Sequence, residues 1–369
     1  MVRVSVCPRA FVIALACCCL LIACGDDNGT GPEDGNHAPV IDTLASVRAV
    51  TSESAITLTC TANDPDADSL TYAWLATGGS ISGSGATVTW TAPEAEGFQH
   101  ISVTVTDEDG NTAADTFQIA VDNLEGTLLA KTRAGLWAVD ALGNHFVFHS
   151  SNRDVEVLGE RIFLAGWDSI TELDHDGNEL STVESDPSVS GYCTLLPDEG
   201  FAIATNNTDL VYMVGPTGAV LDSIPMPNPS VESLQNIDGI VVGNRLIISE
   251  NGNNEVFAID LTSHDVSIFR SVQDGQGWLG AIDYDGGTFY LCRSQRIHTF
   301  TEDGPLQDLC ELPVDNITGI TAEGHFAYVV LNFAGALYRV DRTSGEYQEM
   351  LKGLDYPQDI EYVPVKLFE

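Results

Sequence analysis

The chain has 369 residues, with 54 acidic against 15 basic side chains and a formal net charge of −39. That excess disfavours attraction to nucleic acid or anionic lipid and directs attention to cations, cationic surfaces and neutral ligands as partners. The length allows two domains, and Cys60, Cys193, Cys292 and Cys310, which remain beside Cys24 once the first segment is set apart, are too few for a disulfide framework.

In chain order, Met1-Val2-Arg3 and Arg9 precede an almost wholly apolar run from Ala10 to Ala23, which ends in Leu21-Ile22-Ala23-Cys24. The run is too short for a helix across the roughly 30 Å hydrocarbon core, which takes about 20 residues, and a small residue sits just before the cysteine. Residues 1–23 therefore read as a cleaved signal peptide. LIAC resembles the lipobox of bacterial lipoproteins, which implies that Cys24 is lipidated and holds the protein on a membrane of the cell envelope. Gly25 follows the cysteine in place of an aspartate, which by resemblance to Gram-negative sorting favours the outer membrane or cell surface. Residues 24–37, GDDNGTGPEDGNHAP in their greater part, read as a flexible tether.

Residues 38–122 change character to short alternating strands such as AITLTCTAND, ATVTWTA and HISVTVTD, separated by Gly, Ser, Pro and Asp clusters. Thr and Val at alternate positions suit half-buried strands, and the regular spacing predicts a β-sandwich. NDPDADSLTYAW with GFQHISVTVTDEDGNTAADTF resembles PKD-type and related immunoglobulin-like modules of bacterial surface proteins, which implies a spacer or adhesion element. Cys60 and Trp74 are spaced as the cysteine and tryptophan of an immunoglobulin sandwich. The second cysteine is replaced by Val103 or Val105, so Cys60 is expected in the core as a thiol. Asp64, Asp66 and Asp68 crowd one loop and Asp107, Asp109 and Asn111 another, and a structural Ca²⁺ would relieve their repulsion.

From residue 126 to 369 the sequence repeats at a period of about 40 residues. Six strands run into polar turns: LWAVDALGN, ITELDHDGN, VYMVGPTGA, VFAIDLTSH, IHTFTEDGP and LYRVDRTSG. The turns begin at Asp140, Asp174, Gly215, Asp260, Thr301 and Asp341, and Gly143, Gly177, Gly218, Ser263, Gly304 and Gly345 complete them. Strands of similar type precede each turn, and four strands per unit predict a six-bladed β-propeller. The first unit lacks an opening strand, whereas YPQDIEYVPV near residue 360 resembles one with nothing after it, so that strand is expected to join the first unit and remove the free edges. The fold class is thus all-β. ISENGNNEVFAIDL resembles NHL-type repeats, and the wider pattern resembles propellers of the gluconolactonase and senescence-marker family.

In such propellers the turns between second and third strands, and the links between units, gather at one mouth. The residues expected there are Arg133, Trp167, Asp168, Asn206, Asn207, Asp209, Glu250, Asn251, Asn253, Arg293 and Asn332, with Lys131 and Gln295 beside them. Amides among charges of both signs suit a protein, peptide or carbohydrate ligand, and no organic cofactor is expected. The gluconolactonase resemblance implies instead a divalent ion polarising a lactone carbonyl. Glu250, Asn251 and Asp359 are chemically suitable, but their order departs from that family's pattern. No GxSxG, HExxH, Walker or CxxC motif is present, so a ligand-binding envelope protein is the leading reading. A metal-dependent lactonase-like or esterase-like hydrolase and a purely architectural surface protein are the alternatives.

Overall fold

The computed structural model describes residues 35–45, 47–165, 169–184, 191–198, 200–205, 210–227, 238–251, 254–272, 277–314 and 316–367. Cys24 and the expected signal segment lie outside these residues. The regular structure is all β, with no helix among the described residues.

Residues 40–121 form two four-stranded sheets. One runs in the order Val40–Ala45, Ala55–Asn63, Thr87–Thr91, Ser80–Gly83, and the other in the order Ala49–Val50, Thr112–Val121, Gly97–Thr106, Thr71–Ala76. Alternation places Leu58, Val88, Ile101, Ile119 and Val121 in the core around Trp90. Trp90, and not Trp74, is the tryptophan that is fully buried. Both indoles are tied to backbone, Trp90 Nε1 donating to Gly78 O at 2.9 Å and Trp74 Nε1 to Gly85 O at 3.0 Å. Cys60 is a free, buried thiol in one cluster with Val103, Val105 and Trp74.

The remaining residues form a propeller-like array of six four-stranded sheets. In each of the second to sixth sheets the four strands follow one another as an antiparallel meander. The first sheet instead combines Thr127–Thr132, Gly135–Val139 and His145–His149 with Asp359–Val363, which pairs antiparallel with Thr127–Thr132 from Asp359↔Lys131 to Val363↔Thr127.

Turn chemistry explains the repeats. Asp140 Oδ1 accepts from the backbone N–H groups of Leu142 and Asn144, and Asp174 Oδ1 does the same for Asp176 and Asn178. A left-handed residue closes every turn but the fifth, where Gly304 is not left-handed; it is Gly143 in the first sheet, Gly177 in the second and Gly218 in the third. In the fourth sheet the position belongs to His264, at φ 60°, and not to Ser263 as the repeat pattern predicts, because the turn is one residue longer. Gly345 occupies the corresponding place in the sixth.

Apolar clusters fill the spaces between successive sheets. Leu136 and Ile162 share one, Phe163 and Phe201 the next, Met213 and Phe257 the third, Ile247 and Leu291 the fourth, and Cys292 and Val329 the fifth. A sixth unites Val330 of the last sheet with Leu128 of the first, and it also takes in Ala49, Phe98 and Ala120 of the sandwich. The sandwich is therefore packed on the array and not suspended from a free linker. Phe98 meets Phe326 edge-on at 5.3 Å between ring centroids, Arg48 Nη1 donates to Glu349 O at 2.7 Å, and Gln348 Nε2 donates to Gln118 O at 3.2 Å.

At the centre of this junction Asp122 is 1 % and Arg339 0 % exposed, with Arg339 Nη1 at 2.7 Å from Asp122 Oδ2. Tyr328 donates its hydroxyl to the same carboxylate, 3.0 Å from Oδ2, and Leu124 donates its N–H to Oδ1 at 3.1 Å. Burial pushes the Asp122 carboxyl up and the Arg339 guanidinium down in spite of their attraction.

Candidate functional site

The opening strands of the second to sixth sheets, Asp154–Leu158, Gly191–Leu195, Asp238–Val242, Leu279–Asp285 and Ile317–Glu323, lie side by side with Asp359–Val363 around a central axis. Small residues allow this approach. A Cβ on Gly319 would stand 2.7 Å from the Asp359 Cα and from the Ile360 nitrogen, so Gly319 is required where these two backbones meet.

One mouth of this channel is a cavity of about 540 Å³. Its floor carries Asp154, Asp238 and Asp359, with Lys131 Nζ 2.7 Å from Asp154 Oδ1. Its walls carry Ser294, Asn316, Thr318, Asn332 and Gln358, and its rim Trp278, Phe333 and Tyr356. The rim aromatics are 70 %, 66 % and 39 % exposed respectively. Phe333 and Tyr356 meet edge-on at 6.1 Å, and the Arg133 guanidinium lies 4.5 Å from the Tyr356 ring centre. Ser294, Asn316 and Tyr356 hold left-handed backbone at φ 52°, 78° and 55°, an unfavourable state for residues other than glycine. Asn332 is 8 % exposed and its Nδ2 donates to Pro357 O at 3.1 Å, while its Oδ1 has no hydrogen-bond partner.

A second cavity of about 220 Å³ continues along the channel, sharing Asp238 and Asp359 with the first and adding Glu156, Asp283 and Glu361. Several of these carboxylates act as struts between neighbouring sheets, where inner strands have no ladder partner. Asp238 Oδ2 accepts from Ile282 N–H at 2.8 Å, and Asp283 Oδ2 from Ala322 N–H at 2.6 Å. Burial, reinforced by mutual repulsion, pushes Glu156, Asp238 and Glu361 up, raises Asp283 to about 6 and raises Asp359 to about 7.

Among the residues expected at the mouth, Asn332 and Lys131 line this cavity and Arg133 braces its rim. Glu250, Asn251 and Arg293 are buried and absent from the lining, so Glu250 and Asn251 are not brought to the cavity that Asp359 floors. Gln295 donates its side-chain amide to Glu311. Trp167, Asp168, Asn206, Asn207, Asp209 and Asn253 lie outside the described residues. Sequence reasoning singled out Asp359 but missed Trp278, Phe333 and Tyr356 on the links, and the other acids of the opening strands. Asp154-Val155-Glu156 and Asp359-Ile360-Glu361 were the available signal.

In the sandwich, the carboxylate oxygens of Asp64, Asp68 and Asp107 lie within 4.8 Å of one another. Asp64 Oδ2 is buried without a hydrogen-bond partner, as an oxygen reserved for a cation would be. Asp66 turns instead to His37, accepting its backbone N–H at 2.6 Å, and Asp109 gives its backbone N–H to Asp107 at 3.0 Å without its carboxylate joining the trio. Burial, then repulsion from Asp64, Asp109, Asp107 and Glu108, pushes the Asp68 carboxyl up.

Residues 36–120 match the family model described as a bacterial Ig domain. No curated protein matches the chain. Among solved structures, a chain of a nidogen/laminin complex is similar at 11 % identity, covering 64 % of this chain and 98 % of that one with a TM-score of 0.52. A Bacteroides caccae protein of unknown function is 12 % identical over 65 % of this chain and 99 % of its own, with a TM-score of 0.49. An auxiliary nutrient binding protein from Bacteroides ovatus is 8 % identical over 88 % and 92 %, with a TM-score of 0.43. At these identities the likeness is one of fold.

Proposed function

We propose that the chain is a cell-envelope lipoprotein, anchored through Cys24, whose propeller of six blades closed by Asp359–Val363 takes a ligand at the mouth rimmed by Trp278, Phe333 and Tyr356. The observation that carries this reading is the concentration of unfavourable features on one cavity. Three non-glycine residues hold left-handed backbone there, at a cost on the order of 1–3 kcal/mol each for Ser294 and Tyr356, and Trp278 and Phe333 stand largely in solvent, where burial would be worth up to about 1.5–3 kcal/mol apiece. A ligand stacked on the rim would bury those rings and hydrogen-bond to Asn316, Asn332 and Gln358. The sandwich serves as a fixed base for the propeller, and the tether of residues 24–37 supplies reach from the membrane.

The test has two arms on one protein. Cells fed labelled fatty acid should label the native chain and not the Cys24→Ser variant. The unlipidated variant, screened on glycan, peptide and amine arrays, should bind a ligand whose affinity falls about tenfold or more in Trp278→Ala and in Phe333→Ala. Label retained without Cys24 sinks the anchor, and binding indifferent to both rim substitutions sinks the mouth.

Ca²⁺ is proposed at Asp64, Asp68 and Asp107, where it would neutralise the crowded carboxylates and tie the two loops together. Adding Ca²⁺ to about a hundred times its Kd should stabilise the sandwich by about 2.7 kcal/mol, read as a rise in melting temperature that Asp68→Asn removes. A melting curve unmoved by Ca²⁺, or a rise that survives Asp68→Asn, rejects the site.

A further inference from the structure

We infer that the ligand drawn into the mouth is a linear polyamine, threaded along the channel with its charged nitrogens between the tiers of carboxylates; this rests on the mouth being the ligand site.

Charge is the first consideration. Six carboxylates, Asp154, Glu156, Asp238, Asp283, Asp359 and Glu361, line the two connected cavities, and Lys131 is the one basic side chain among the described lining residues. Lys131 is paired with Asp154 at 2.7 Å, and beyond its more distant pull on Asp359 and that of Arg342 on Asp283 the acids outnumber the nearby cations. An anionic guest would be repelled there, and a neutral one would leave the buried acids holding their protons.

Spacing selects the kind of cation. Asp154 and Glu156 are alternate residues of one strand, as are Asp359 and Glu361, so each pair is separated by about 7 Å along the channel. Asp154 lines only the mouth cavity, while Glu156 and Glu361 line only the inner one. A bare divalent ion instead requires oxygens converging at about 2.3–2.6 Å from one point. Among the described residues the only such trio of acidic, histidine or cysteine ligands is the one in the sandwich. Charges repeated at methylene-spaced intervals fit two tiers better than one point charge does.

Independently of the acids, Asn332 presents a buried, unpartnered oxygen in the lining of the same cavity. An unused acceptor calls for a donor, and an ammonium group supplies one. The rim adds exposed π faces at Trp278 and Phe333, which attract an ammonium on its way in and cover its methylenes afterwards. Burial, with added repulsion from Asp285 and Asp154 respectively, raises the Asp283 and Asp359 carboxyls. A bound polycation restores their ionised forms, so binding releases protons and strengthens as pH rises through about 6 to about 7.

Calorimetric titration of the full chain in detergent with spermidine, putrescine and Ca²⁺ tests this. Spermidine should bind more tightly than putrescine, weaken with added salt, and lose about tenfold in affinity in Asp359→Asn and in Glu361→Gln. Glu179→Gln, on an exposed outer strand, should change nothing, which separates the channel from the acidic surface at large. Melting curves establish that the carboxamide variants are folded, and both are expected to melt no lower than the native chain because they remove repulsion. A flat spermidine titration at low salt overturns the inference, as does binding that survives both carboxamide substitutions or is displaced by Ca²⁺. If the arrays yield a neutral ligand lost in Trp278→Ala while spermidine does not bind, the mouth stands and the polyamine falls.

Discussion

Replacing Arg339 by alanine should destabilise the chain by about 3–5 kcal/mol, the range for breaking one side of a buried ion pair. The substitution leaves the Asp122 carboxylate 1 % exposed with no cation, held only by Tyr328 and the Leu124 N–H. The pair itself is a poor source of stability, since Arg339 Nε and Nη2 are buried without hydrogen-bond partners. Arg339→Met combined with Asp122→Asn should therefore recover most of the loss and could exceed the native chain. Urea unfolding of the native, single and double variants checks this. A single variant within about 1 kcal/mol of the native chain would show that the junction does not hold the carboxylate out of water.

Raising the pH from 5 to 8 should weaken the fold. An unfolded aspartate titrates near 3.9, whereas the channel holds Asp283 at about 6 and Asp359 at about 7. Between those values the native chain keeps protons that the unfolded chain has released. The contribution is whole below the unfolded value and disappears as pH climbs through the folded one. For Asp283 alone this amounts to about 3 kcal/mol, and Glu156, Asp238 and Glu361 act in the same direction. The opposite sign belongs to Asp174, Asp222 and Asp260, held low by side-chain and backbone hydrogen bonds, whose support is present above the unfolded value and lost as pH falls through the folded one. Stability should thus peak on the acid side of neutrality, at about pH 4–6. Urea midpoints at intervals across pH 4 to 8 measure it, and Asp283→Asn should flatten the alkaline limb. A midpoint that rises between pH 6 and 8 contradicts the picture.

The outline of both β regions is legible in the sequence because turn chemistry is local. An aspartate that bonds N–H groups two and four residues on, followed by a left-handed glycine, announces a hairpin without reference to the rest of the chain. The fourth turn shows the limit, since an extra residue moved the left-handed position to His264 and the sequence offered no glycine to mark it. The channel was harder to see. Asp238 and Asp283 are polar residues in alternating strands, indistinguishable from solvated positions until the sheets are arranged around an axis. Glu250, Asn251 and Arg293, also polar residues at or near strand ends, are buried. The partner of Asp122 was not legible either, because the guanidinium that meets it lies 217 residues further along the chain.

The pairing of Thr127–Thr132 with Asp359–Val363 also has a consequence in time. Synthesis proceeds at about 5–20 residues per second, so the first sheet waits for the whole of the intervening chain before its inner edge is covered. Until then an open, apolar strand edge is available to proteases, to chaperones and to other copies of the same nascent chain. A ribosome that stops even a few residues short of Asp359 would leave every other sheet able to form and the first one without its inner strand.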